Sequence, residues 1–375
     1  MSHVKSLDGI RGIAVLLVML FHYGYFGAGW IGVQIFFTLS GYLITTILIE
    51  NRGLPFHVYV GRFYWRRALR IFPLFYGFLA IVAVTYALYG LPDRFRLDWI
   101  WLLTYSANFA RMRDGDLGPW FVHIWSLAVE MQFYLIWPVL LFLVPARWLR
   151  WVVAALLLLT PIIRSAMFQA LLGPGYDTEY AGKGVYVLPF GQLDAFAAGA
   201  AIPIWGLHRI KNIGRIFAAG AAVTIASGVA VLAKAHFWDG GAFFGSLGYQ
   251  MYLVRAYGYI WGYSLINVLA MLAIICALQG IGIARTLEDR TLVRIGQISY
   301  GMYVYHLPLL IAGELLIHKS GIGGEGLARP AFFAAWVAVV VLVSEGSFSW
   351  IETPFLKLKD ATRAPGDTTL KRQPV

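Results

Sequence analysis

The sequence is poor in charge. Asp, Glu, Lys and Arg make up 13% of it, against the ~25% of an ordinary soluble domain. A chain with so little polar surface cannot cover itself with water. Cysteine is nearly absent. Cys276 is the single one, so an intrachain disulfide is excluded and the redox compartment is unmarked. Strict alternation of apolar and polar residues is missing too, which excludes a transmembrane barrel. No small-residue cleavage site follows the first apolar run, so that run is expected to stay in place as a span. No cluster with metal-ligand spacing stands out, and no metal or tightly bound cofactor is expected.

What is present is apolar. Of 375 residues, 59% are hydrophobic, and the mean hydropathy is +0.69. Several runs reach the ~20 residues that cross a bilayer as a helix. The pattern predicts an all-α membrane protein, a polytopic bundle of about ten transmembrane helices. The expected spans are 9–26, 30–50, 71–90, 121–144, 151–171, 186–206, 215–233, 257–280, 295–317 and 330–350. The sixth and seventh are rich in Gly and Ala, which permit close helix approach, so both are expected inside the bundle. Residues 98–110 are too short and polar for a span. Trp99, Trp101 and Tyr105 suit an interfacial or re-entrant piece.

The net charge is +11, but nucleic acid is the poorer explanation. Most Lys and Arg fall in alternate loops, as topology requires. They predict a multi-pass membrane protein with both termini in the cytoplasm. Residues 1–358 form the membrane domain. Residues 359–375 are expected to be a short basic cytoplasmic tail without order. No internal repeat of the transporter kind stands out.

The candidate chemistry starts in the first span. Asp8 and Arg11 lie near its cytoplasmic end and His22 at its far end. Eleven residues are about three turns, so Arg11 and His22 share a helical face ~16 Å apart. Ionisable groups within a membrane are costly and usually functional, and a histidine suits proton transfer near neutral pH. The bland alternative is an Asp8–Arg11 pair at the boundary and a His22 that bonds a carbonyl. In the second span, Ser40 and Gly41 read first as a packing motif, with a hydroxyl able to bond a neighbour. In GRFYWRRALRIFPLFY, Arg67 and Arg70 share a face before a third span that starts near Pro73. They are a positive-inside anchor or a grip for phosphates. In HIWSLAVEMQFYLIWP, the residues His123, Ser126 or Leu127, Glu130 and Tyr134 form one stripe. Glu130 needs a partner inside an apolar span. It is either half of a structural ion pair or the carboxylate that orients the catalytic histidine. Asp194, His306, Glu345 and Glu352 read as packing or interface residues.

Together these blocks resemble one family. LDGIRGIAVLLVMLFH, GVQIFFTLSGYLIT, RRALRIFPLFY, HIWSLAVEMQFYLIWP, GQLDAFAAGA, ISYGMYVYHLPLL and SWIETPFLKL look like the acyltransferase-3 family of bacterial membrane O-acyltransferases. The likeness runs from Leu7 to Leu358. The family's arginine–histidine pattern falls on Arg11 and His22, and its Arg-x-x-Arg pair on Arg67 and Arg70. Its Trp-Ser-Leu-x-x-Glu block falls on Trp125, Ser126, Leu127 and Glu130. Gln34 and Met131 stand where the family often has acids. The resemblance implies acyl-CoA, acetyl-CoA above all, as donor substrate. It implies a hydroxyl acceptor on a surface glycan, a lipid-linked sugar or a macrolide-type metabolite. Some relatives carry an extra extracytoplasmic hydrolase-like domain, for which this chain is expected to be too short.

The expected mechanism places CoA phosphates on Arg67, Arg70 and Arg11. His22 is then general base, or becomes transiently acylated, with Glu130 beside it. Asp8, Ser40, Trp125, Ser126 and Tyr134 support that site. The competing class is a transporter or flippase of a lipid-linked glycan.

Overall fold

The protein is described from a computed structural model that covers residues 4–90, 95–113, 117–173, 175–238, 241, 244–320 and 328–358. The helices are, in order, α1 (Lys5–His22), α2 (Ile31–Glu50), α3 (Phe56–Tyr89), α4 (Phe95–Leu103), α5 (Ala107–Ala110), α6 (Trp125–Leu143), α7 (Ala146–Leu171) and α8 (Thr178–Val187). They continue as α9 (Leu193–Trp205), α10 (Ile213–Phe237), α11 (Gly258–Gln279), α12 (Ala284–Leu287), α13 (Arg290–Gln297), α14 (Ser299–Ser320), α15 (Ala328–Ser347) and α16 (Thr353–Lys357). Among the described residues, 8 segments are helices long and apolar enough to cross a membrane, or 9 if one bent pair is counted as a single span. The expected all-α membrane bundle is what the chain forms. The tail at 359–375 lies outside the described residues.

Several boundaries differ from those expected, each for a local reason. The first expected span, α1, is set apart from the long apolar helices by Lys5, Asp8 and Arg11. The third span does not start near Pro73. One 34-residue helix runs through the whole arginine cluster, and Pro73 lies inside it, where the ring removes the N–H that Leu69 O would have accepted. The sixth span is broken between Val187 and Pro189 and bends by 68°. The stretch 98–110 forms two short helices that fold back on the bundle. Asp98 accepts from Arg113 at 3.0 Å, and the Tyr105 ring stacks 4.6 Å from that of Phe75.

Two Gly/Ala-rich helices have opposite fates. The α9 helix is buried along almost its whole length and lies against α2. The expectation that α10 is also internal is wrong: 11% of its apolar stretch is buried. Gly220 lies against α11 and Gly228 against Leu247 and Tyr249, while most of the helix faces outward. Lipid tails are as apolar as leucine, so small residues permit close packing without compelling it.

A buried ion pair ties α7 to α9 and α11. Arg164 grips Asp194 with both terminal nitrogens, at 2.8 and 2.9 Å. Ser264 and Asn267 of α11 donate to the same carboxylate at 2.6 and 3.1 Å. Fork-to-fork pairing with every carboxylate lone-pair direction used is what makes charge tolerable at 0–1% exposure. This is the packing role expected for Asp194.

Candidate functional site

Three cavities adjoin one another in the bundle. The central one has about 900 Å³ of empty space and is lined by Arg11, Ser40, Arg67, Arg70, Ser126, Glu130, Tyr134 and Tyr303 among others. Helical register explains why they meet. Ser126, Glu130 and Tyr134 are four residues apart on α6, and Arg67 and Arg70 three apart on α3, so each set shares one face. Three guanidiniums and one carboxylate make this lining net positive.

Glu130 is held by hydroxyls. Ser40 Oγ donates to Oε1 from α2, and Tyr134 Oη donates to the same oxygen from one turn along α6. The Arg67 guanidinium lies 5.8 Å from the Tyr134 ring and 5.8 Å from the Phe63 ring. Serine 40 therefore both packs and bonds a neighbour. Met131, one of the two positions where the family often has an acid, also lines this cavity. The other, Gln34, is fully buried and donates to Gln192 at 2.9 Å.

A second cavity, of about 730 Å³, is a vestibule lined by Arg62, Arg66, Arg67 and Arg70 with Asn51 and Tyr59. It shares Arg67 and Arg70 with the central cavity.

The third, of about 690 Å³, holds His22, His123 and Arg111 in an aromatic wall of Phe21, Trp30, Trp125, Tyr186 and Tyr252. Val33 and Tyr303 line both it and the central cavity. Tyr303 is fixed in that partition: its hydroxyl pairs with Ser126 Oγ at 2.6 Å and donates to His123 O at 2.9 Å. Asp8 lines none of the three cavities.

His22 ends α1, and its Nδ1 lies 3.1 Å from Val18 O, the carbonyl bond that the bland reading anticipated. It has a second partner that the sequence did not suggest. His306 Nε2 lies 3.1 Å from the same Nδ1, so His306 packs directly on the His22 ring. His123 joins the group, with its ring 5.0 Å from that of His306. The three histidines come from α1, α14 and the turn before α6. Glu130 and His22, expected to act together, line different cavities.

The class is thus a polytopic helical membrane protein in which an arginine-lined vestibule adjoins a cationic cavity and then a histidine chamber. Residues 4–345 match the acyltransferase-3 family model, described as an acyltransferase domain, and the chain belongs to that family. Among curated proteins it is 28% identical to peptidoglycan O-acetyltransferase OatA of Listeria monocytogenes, over 95% of this chain and 56% of the relative. It is 28% identical to the putative peptidoglycan O-acetyltransferase YrhL of Bacillus subtilis, over 94% of this chain and 55% of that protein. O-acetyltransferase OatA of Staphylococcus aureus is 26% identical over 95% of this chain and 57% of its own length. The chain therefore spans a little over half the length of these relatives. No solved structure matches it.

Proposed function

We propose that the chain is a membrane O-acyltransferase that moves an acyl group, acetyl first among them, from acyl-CoA to a hydroxyl of a glycan. Family membership and the peptidoglycan O-acetyltransferase activity of the relatives support the acetyl group and the glycan. The observation that carries the reading is the series of cavities, with guanidiniums at one end and His22 at the other.

The donor enters from the side of the basic loops, which the positive-inside rule assigns to the cytoplasm. Its phosphates sit on Arg67 and Arg70, with Arg62 and Arg66 in the vestibule and Arg11 deeper in. Guanidinium forks suit phosphate oxygens. The pantetheine arm then extends through the central cavity toward the partition at Val33 and Tyr303. Glu130, held by Ser40 and Tyr134, offsets part of the positive charge while the cavity is empty. The acceptor sugar lies in the aromatic chamber. There His22 removes the proton from its hydroxyl as the oxygen attacks the thioester carbonyl. The C–S bond breaks, and the CoA thiolate takes the proton back from His22. If the acyl group first rests on His22, the same ring nitrogen carries it.

The test uses purified full-length protein in lipid nanodiscs with acetyl-CoA and a soluble peptidoglycan fragment. Glycan-dependent release of CoA thiol is expected, together with a mass gain of one acetyl group on the glycan. Correctly inserted His22→Ala protein should lose both by at least ~10²-fold. Full transfer by that variant overturns the assignment of His22. Movement of a lipid-linked glycan without CoA release would identify a transporter instead.

A further inference from the structure

We propose that His306 is a positioning residue that fixes the tautomer of His22 and so presents the Nε2 lone pair of His22 to the reacting groups. The inference rests on the reading of His22 as the reacting base.

The argument is one of proton counting. His306 is fully buried, and its Nδ1 lies 2.7 Å from Tyr303 O. A carbonyl oxygen only accepts, so that Nδ1 carries the hydrogen. In the neutral ring Nε2 is then a lone pair. That lone pair faces Nδ1 of His22 at 3.1 Å. On its other side the same Nδ1 meets a second acceptor, Val18 O, at 3.1 Å. A nitrogen between two acceptors must be the donor. Neutral His22 therefore holds its hydrogen on Nδ1 and leaves Nε2 bare, in a side chain that lines the aromatic chamber. When Nε2 takes the hydroxyl proton, the imidazolium keeps both acceptors on Nδ1. It later returns the proton to the thiolate with no change of ring orientation. Around metal-ligating histidines, outer partners that set the tautomer in this way matter 10–100-fold, and a factor of that order is expected here.

The position of His306 follows from its own helix. Pro308 lies inside α14 and has no N–H for the carbonyl four residues earlier, Val304 O. His123 Nε2 takes that freed acceptor at 3.1 Å. Trp336 Nε1 donates to His306 O at 3.0 Å. The proline thus creates the anchor for one histidine beside the other, and α15 fixes the backbone of His306.

The experiment combines ¹⁵N NMR of histidine-labelled full-length protein in nanodiscs with steady-state kinetics. The chain has 8 histidines, and His22→Ala identifies the His22 signals. The wild type should show neutral His22 protonated on Nδ1. His306→Leu leaves Val18 O as the remaining acceptor on Nδ1, so it should raise the share of the Nε2–H tautomer and lower kcat about 10–100-fold, with KM for acetyl-CoA little changed. His306→Gln keeps an acceptor oxygen near the lost Nε2, so it should hold the tautomer and recover kcat to within about tenfold. A wild-type His22 protonated on Nε2 overturns the proposal, whatever becomes of the variants. So does His306→Leu protein with unchanged tautomer and kcat. Because the tautomer is read without turnover, a protein with no transferase activity but the expected tautomer would fail the functional reading and not this one.

Discussion

At the residue scale, a pair of arginines carries two explanations that the sequence left open. Arg67 and Arg70 could have been a topology anchor on the surface. They line the wall common to the vestibule and the central cavity, a position that the proposed phosphate grip requires. A charge-assisted hydrogen bond contributes about 1.5–3 kcal/mol. Arg67→Ala and Arg70→Ala should therefore each raise KM for acetyl-CoA by roughly 10–100-fold, with a smaller change in kcat. Steady-state kinetics on correctly inserted protein decides this, and an unchanged KM returns them to the anchor role. These two residues, with Arg11, Ser126, Glu130 and Tyr134, were legible because helical periodicity places near neighbours on one face. His306 was not. It stands 284 residues from His22, and one sequence carries no periodicity over that distance. Its one local signal was the proline two residues later.

At the element scale, the cationic cavity depends on how closely α2 approaches α9. A Cβ on Gly199 would lie 1.9 Å from Thr38 O, and one on Gly41 would lie 2.1 Å from Phe196 O. Neither space exists, so the backbones are in direct contact, and Ser40 is carried next to Gly41. Replacing either glycine by alanine forces the helices apart. Overpacking of this kind costs about 1–3 kcal/mol. Gly41→Ala and Gly199→Ala should lower the thermal midpoint in detergent and reduce transfer, because Ser40 moves away from Glu130. Val223→Ala on α10, at a position 57% exposed, should change neither. The close approach of α9 was legible in its composition. The outward position of α10 was not, since the same small residues suit a lipid-facing surface and a helix interface alike.

At the scale of the whole molecule, hydropathy delivered the bundle, while the broken sixth span, the continuous α3 and the order of the cavities came from packing. That order implies a separation of functions. In the proposed reading the donor's charged end is held in the vestibule and the reacting ring is His22 in the chamber; Val33 lies in the partition, lining both inner cavities. Val33 is 5% exposed in total, and its side chain touches neither the arginines' vestibule nor, by any hydrogen bond, the histidines. A larger side chain there should obstruct the passage of the acyl arm and leave the phosphate grip intact. Displacement of reacting groups by ~1 Å can cost 10²-fold in rate. Val33→Phe is therefore expected to bind CoA with an affinity within a few-fold of the wild type, measured by calorimetry in nanodiscs, and to lose at least tenfold in transfer. If transfer persists at the full rate, the acyl group does not cross at this partition. If CoA affinity falls in step with transfer, the vestibule and the central cavity do not hold the donor's two ends separately. The combination of retained binding and lost turnover is the signature of a donor held on one side of Val33 and consumed on the other.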